Sequence, residues 1–403
     1  MSADSPVGAT NAPLRNPWLI LTVSMAAATV STFFVNAVAF LIPALHTERG
    51  LTLAETGLLA AMPTVGMMLT LVAWGVLIDR IGERKVLVAG LSLTAVAAGL
   101  AATVSSIPAV GVLLLLGGMA AASTNSATGR VVVGYFPAHQ RGLAMGIRQT
   151  AQPIGVALAA MLLPTLSQTA NPTQALWLPA VLNLAAAVIC LVVIIDPPRP
   201  SRTAAADAGL LENPYRQSSH LWRIHAVSAL LVVPQFTVWT FALVWLMTDR
   251  GWSATAAGLI IVLAQVLGAV GRMVAGWWSD RIGSRMRPIR GIALAAALVM
   301  AALAVTDWLG SPVAVALLVA ASVITVADNG LAFTAVAEIS GSYWSGRALG
   351  AQNTGQFLAA SIVPPLFGAL IGIVGYPATF LISALCPVAA IPLVPKEFSK
   401  LSR

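Results

Sequence analysis

Gly75-Val-Leu-Ile-Asp79-Arg80-Ile-Gly82-Glu83-Arg84-Lys85 lies between two long apolar runs, and a shorter copy, Gly276-Trp-Trp-Ser-Asp280-Arg281-Ile-Gly283-Ser284-Arg285, returns 201 residues later. Each copy has an apolar stretch with a glycine near its end, the pair Asp-Arg, a glycine suited to a turn with positive φ, and further positive charge before the next apolar run. The same offset pairs Arg49-Gly50 with Arg250-Gly251 and Gly57-Leu58 with Gly258-Leu259. Further on the offset is 204, pairing Asn125 with Asn329, Gly146 with Gly350, Thr150 with Thr354 and Gln152 with Gln356. The chain is therefore an internal duplication, and the motif marks one loop in each copy.

What surrounds the motif is built for lipid. Of the 403 residues 58% are hydrophobic and 9% charged, against roughly 25% charged in a soluble domain. About 20 apolar residues cross a bilayer, and twelve such segments are expected: 18–45, 53–78, 86–105, 108–135, 143–166, 174–195, 222–247, 254–279, 289–309, 312–338, 348–374 and 377–394. Six per copy, an even number, gives both copies the same orientation, as in parallel repeats. The expected division is a tail over 1–17, a six-helix bundle over 18–195, a proline- and arginine-bearing linker over 196–221, a second bundle over 222–395 and a tail over 396–403. The first apolar run lacks a small-residue cleavage site and reads as a retained helix.

The net charge of +8 does not point to nucleic acid. Of 22 Lys and Arg, Arg49 and Arg250 fall on one side and Arg148 and Arg272 lie deep within spans; the other 18 lie in the tails, in loops on the opposite side or at helix ends facing it. By the positive-inside rule that side is cytoplasmic, with both termini there. Cys190 and Cys386, both within apolar runs, suggest neither a disulfide framework nor a metal site. No phosphate-binding loop, Ser-His-Asp set or other catalytic grouping is present, which argues against an enzyme, a bound cofactor or ATP-driven coupling.

The doubled Gly-x-x-x-Asp-Arg-x-Gly-x-Arg resembles the loop between the second and third helices of the major facilitator superfamily. The resemblance covers about residues 18–395 and implies an all-α membrane protein of twelve transmembrane helices in two six-helix repeats. It implies a secondary transporter of the bacterial inner membrane, expected as a monomer that handles a small molecule and protons. In that family the loop aspartate faces the start of the eleventh helix, where a carboxylate gains from the helix dipole, and arginines complete a latch. Carried over, this assigns the latch to Gly75, Asp79, Arg80 and Arg84 and, by symmetry, to Gly276, Asp280, Arg281 and Arg285. The plainer reading, that Arg84, Lys85 and Arg285 only fix topology, stands beside it.

Ionisable groups within spans are costly and mark function by default. Arg148 lies seven residues past Arg141 and Arg272 eight before Asp280, which puts them about 10 and 12 Å deep at 1.5 Å per residue. Two arginines at one level, on helices that adjoin in the family, point to a shared anionic substrate. Asp328, in the tenth span, stands out among the acids and is the expected proton-coupling group, with a salt bridge to Arg272 as the structural alternative. Gln149 and Gln152 form a polar stripe beside Arg148, and Gln352, Asn353 and Gln356 repeat it. Amides that hold helices together, about 0.6 kcal/mol each, are the plainer reading. Gln235, Phe236 and Trp239 of the seventh helix and Phe34 and Asn36 of the first lie on helices that line the family's cavity; Gln235 and Trp239 are assigned to the substrate, with packing or lipid contact the plainer reading for any one ring. None of His46, His139, His220 and His225 is expected to relay protons. The phrase Gly146-Ile147-Arg148-Gln149-Thr150-Ala151 is similar to bacterial members grouped with cyanate, nitrate and organic-anion carriers. The function implied is transport of a small organic anion with protons by alternating access. Proton-driven efflux of amphipathic compounds is the alternative, with Gln152-Pro153-Ile154-Gly155 departing from the pattern of drug antiporters; a membrane sensor is a further one.

Overall fold

The computed structural model describes residues 16–167, 172–197, 199 and 201–396; the expected N-terminal tail lies outside these residues except for Asn16 and Pro17, and the C-terminal tail except for Lys396. The described residues contain no strand. Spans two, three and four are the single helices Leu53–Ile81, Glu83–Thr103 and Ile107–Tyr135, and spans seven, eight and nine are His220–Thr248, Ala254–Ile282 and Met286–Trp308. The sixth is Trp177–Val193, led in by a turn of 3-10 helix at Pro172–Leu176. Ser345–Leu393 is 49 residues long with one non-helical residue, Gly375, at φ 79° and ψ 175°. A straight helix of that length would run about 74 Å against a hydrocarbon layer of about 30 Å. Spans eleven and twelve therefore meet at Gly375, and the protein is an all-α membrane protein of twelve spans.

Three spans expected as single helices are broken, each at a readable cause. The first ends at Ala37 and restarts as Ile42–Arg49. Pro43 there has no N–H to return to the carbonyl of Ala39. The fifth divides into Arg141–Gln149 and Ala151–Ser167. Pro153 cannot bond the carbonyl of Gln149, and Thr150 turns back to the carbonyl of Ile147 at 3.0 Å instead. The tenth divides into Val313–Ile324 and Asn329–Ser340. The β-branched run Val323-Ile-Thr-Val326 followed by Asp328-Asn329-Gly330 is poor helix sequence, and the Thr325 hydroxyl bonds the carbonyl of Ala321 at 2.7 Å. Pro364 and Pro365 sit inside continuous helix. The linker is not featureless: Arg202–Asp207 and Pro214–Gln217 are short helices.

Phe33, Phe34, Leu71 and Leu114 sit in a core within the first six spans, while Trp245, Met300, Leu318 and Phe380 sit in one within the last six. Large apolar side chains such as Leu69, Leu298 and Ile373 point outward, as a lipid-facing surface requires. The two sets meet along two helix pairs, the second span on the eleventh and the fifth on the eighth. Gly350 faces the carbonyl of Leu71 and Gly146 that of Arg272, and a Cβ at either glycine would lie 2.6 Å from the oxygen it faces. Small residues are what let such backbones touch.

Candidate functional site

The motif loops build the first part of the site. The second span ends in the turn at Gly82, φ 95°, and the eighth in the turn at Gly283, φ 62°. Both aspartates lie in the last helical turn before those glycines and both reach across to the other six spans. Asp79 Oδ1 accepts the backbone N–H of Gly346 at 2.9 Å and Arg130 Nη1 at 2.8 Å. Its Oδ2 accepts the N–H and the Nε of Arg347 at 3.1 and 2.9 Å. Asp280 does the same at the fifth span, accepting the N–H of Gly142 at 2.9 Å and of Leu143 at 2.8 Å. Gly346 and Arg347, like Gly142 and Leu143, are first-turn residues whose N–H groups have no partner within their own helix. Each carboxylate therefore satisfies orphan donors and meets the positive end of a helix dipole. Gly75 packs on the backbone of Gly346 and Gly276 on that of Gly142, with no room for a Cβ at either motif glycine.

The supporting arginines are not the expected set. Arg80 and Arg281 are exposed, Arg281 lying over the Trp277 ring at 5.3 Å. Arg84 is also exposed and bonds the carbonyl of Leu191 through Nε at 2.9 Å, at the end of the sixth span. Asp79 is served instead by buried Arg130, which also pairs with buried Glu83 at 2.7 Å and bonds the carbonyl of Ser342. Arg199 of the linker holds Glu83 at 2.9 Å and the Asp79 carbonyl at 3.1 Å. Of the expected arginines only Arg285 joins its aspartate, at 2.6 Å, while also binding Glu338 at 3.1 Å. Arg141 adds a contact to Glu338 at 3.4 Å.

Deeper between the two sets lies a cavity of about 270 Å³. Arg148, Gln149, Gln152, Gln235, Arg272, Asn353 and Gln356 line it, as do Asn36 and Phe236. Gln352 does not; it is buried and accepts from His225 Nδ1. Trp239 lies beneath the Arg272 guanidinium at 5.8 Å rather than in the wall. Phe34 is turned into the core. Sequence reasoning assigned no role to Asn125 and Asn329, which line the cavity as a repeat-matched pair; that matching was the available signal. An amide belt runs through the last six spans, Asn329 Nδ2 to Gln235 Oε1 at 3.0 Å and Gln356 Nε2 to Asn329 Oδ1 at 3.2 Å.

The two arginines are 4% and 3% exposed. Arg148 donates to Thr128 Oγ1 at 2.9 Å, Gln149 Oε1 at 2.9 Å and the Asn125 carbonyl at 2.6 Å, all neutral acceptors. The Arg272 side chain makes no hydrogen bond among the described residues, and its Nε is buried without a partner. The salt bridge to Asp328, the structural alternative, is not formed among the described residues, although the two opposite charges lie near enough to act on each other. Asp328 sits in the break of the tenth span, 1% exposed, outside the cavity wall and with Oδ2 unpartnered. Among the described residues no group of His, Cys, Asp and Glu has the makings of a metal site.

The family model of the Major Facilitator Superfamily matches residues 24–364. The chain belongs to the major facilitator superfamily. It is thus a multi-pass membrane transporter rather than an enzyme. It is 52% identical over 378 residues to an uncharacterized MFS-type transporter of Mycobacterium tuberculosis, covering 94% of this chain and 84% of that one. It is 26% identical over 377 residues to a probable sulfoacetate transporter of Cupriavidus necator, covering 87% and 86%. Among solved structures it superposes on the fucose:proton symporter FucP of E. coli with a TM-score of 0.73 at 16% identity, over 94% and 98% of the two chains.

Proposed function

We propose that this superfamily member carries a small organic anion together with protons by alternating access. The observation that carries this reading is the cavity between the two sets of spans, whose charged lining residues are Arg148 and Arg272 and which no carboxylate among the described residues lines. A buried guanidinium without a counter-ion is costly, and an anion supplied by the substrate turns that cost into selective binding. The sulfoacetate carrier among the relatives supports the same class. Asp328, buried beside the cavity with its Oδ2 free of any hydrogen-bond partner among the described residues, is the group proposed to take up the proton.

The motif-bearing face is proposed as cytoplasmic, from the distribution of arginines, in the inner membrane of a bacterium. With Asp79 and Asp280 seated on helices of the opposite set, that face is closed, and the conformer is outward-facing. Release of both carboxylates opens the inward path.

Reconstituted protein tests the reading. Uptake of labelled sulfoacetate into proteoliposomes, driven by an inside-alkaline gradient, is expected to collapse with an uncoupler and to be lost in Arg272→Leu. Uptake indifferent to both the gradient and Arg272 would sink it.

A further inference from the structure

The charge count of the cavity narrows the substrate further. This step rests on the anion reading above. Arg148 comes from the fifth span and Arg272 from the eighth, and their backbones all but touch, a Cβ at Gly146 lying 2.6 Å from the Arg272 carbonyl oxygen. Both side chains open into the one chamber, and among the described residues neither is in an ion pair; Asp328, the acid whose charge acts on Arg272, no longer offsets it once it holds the proton assigned to it above. Arg148 is held by neutral oxygens and lies over the Phe333 ring at 5.8 Å; Arg272 lies over the Trp239 ring at 5.8 Å. Ring faces and amides make a cation tolerable, yet they do not neutralise it.

Two like charges facing one small, weakly polar chamber repel each other, and the repulsion grows as the dielectric falls. A single carboxylate relieves one of them and leaves the other buried and alone. An acid with two ionised ends relieves both. We propose that the chamber takes a small dianion, an organic acid whose two separate acidic groups seat one on Arg148 and the other on Arg272. Each guanidinium presents a planar fork that matches a carboxylate or sulfonate edge. With about 270 Å³ available, the skeleton between the two groups is short, and the amides of Gln235, Asn353 and Gln356 remain for its polar substituents. Arriving from opposite sets of spans, the two contacts also make the substrate a bridge between them, which a one-headed anion is not.

The experiment uses the full-length chain in detergent at constant ionic strength and about pH 8, where every probe is fully ionised. Sulfoacetate is compared with acetate and with methanesulfonate, and succinate with its monoamide, reading the thermal-unfolding midpoint against probe concentration. A two-acid probe is expected to stabilise at a concentration about tenfold or more below its one-acid counterparts. Arg148→Gln and Arg272→Gln should each erase that advantage while helix content and the weaker one-acid binding persist; either variant suffices if the other does not fold. Equal potency of one- and two-acid probes, or an advantage that survives both substitutions, overturns the dianion and leaves the anion reading standing. Absence of stabilisation by every anion overturns both.

Discussion

Asp79 accepts the backbone N–H of Gly346 at 2.9 Å, joining the last turn of the second span to the first turn of the eleventh. The same oxygen takes Arg130 at 2.8 Å, so one buried carboxylate serves a helix terminus of one six-span set and a guanidinium of the other. Such a contact exists only while the two sets lie together. On the alternating-access reading proposed above, it stabilises a conformer rather than the fold.

Asp79→Asn keeps the shape and removes the charge, placing an amide where Arg130, Arg347 and two backbone donors converge. The dipole interaction is worth about 0.3 to 1 kcal/mol, up to about 2 kcal/mol when partly buried. Spin labels at Lys85→Cys and Arg281→Cys, both exposed and on opposite sets, should report a larger separated population in the variant than in the parent. An unchanged distance distribution would reduce Asp79 to a topology residue.

The symmetric contact gives a steric test. A Cβ at Gly142 would lie 2.5 Å from the Gly276 carbonyl oxygen and 2.8 Å from Asp280 Oδ1. Gly142→Val should therefore force that seam apart and abolish transport in a protein that still inserts. Gly258→Ala is the control, since a Cβ there meets nothing within 4 Å. Equal activity of the two variants would show that the seam yields.

Much of this was legible in the chain. The duplication, the crossings and the cavity arginines follow from a periodic apolar pattern with rare charges in it, because lipid penalises every exception. The breaks at Asp328 and Thr150 were harder to see, since hydropathy does not register helix continuity; the β-branched run and Pro153 were the cues. The arginines that reach Asp79 are hard to read from sequence for another reason. Arg130 lies near the end of the fourth span and was indistinguishable in sequence from a topology-setting charge, while Arg80 and Arg84 sat inside the motif and drew the assignment. Only packing separates the buried guanidinium from the exposed ones.

Topology is tested with an impermeant thiol reagent. Glu83 and Ser284, in the motif loops, are 0% and 1% exposed and would resist labelling on either side. Lys85→Cys and Arg281→Cys are exposed and should label only after the cells are permeabilised, whereas Asp249→Cys, exposed at the opposite face, should label at once. The reverse pattern would invert the map.

The linker is tied to the seventh span by Tyr215, whose hydroxyl bonds His225 Nε2 at 2.8 Å. Burial pushes the Tyr215 phenol up to about 12, so it stays an O–H donor at physiological pH and His225 Nε2 accepts. The other ring nitrogen then carries the hydrogen given to Gln352 Oε1. Tyr215→Phe removes one such bond, a loss of about 1 kcal/mol. The unfolding midpoint should fall slightly with no change in anion affinity. A changed affinity with an unchanged midpoint would instead couple this chain of bonds to the cavity.

The arginines and Asp328 separate binding from coupling. Lysine at 148 or 272 keeps the charge but loses the planar fork. Hydrogen bonds to charged groups are worth about 1.5 to 3 kcal/mol, so each substitution should weaken anion binding about tenfold to a hundredfold. Asp328→Asn touches neither the lining nor an existing ion pair. It should leave equilibrium binding near that of the parent while removing the response of uptake to an imposed pH gradient. The double variant Arg272→Leu with Asp328→Leu tests whether the two serve only each other. Because they are unpaired in this conformer, neutralising both should restore nothing, and transport should stay lost. Normal transport by that variant would make the pair structural, and parental affinity in Arg148→Lys would turn the search toward a neutral or cationic substrate.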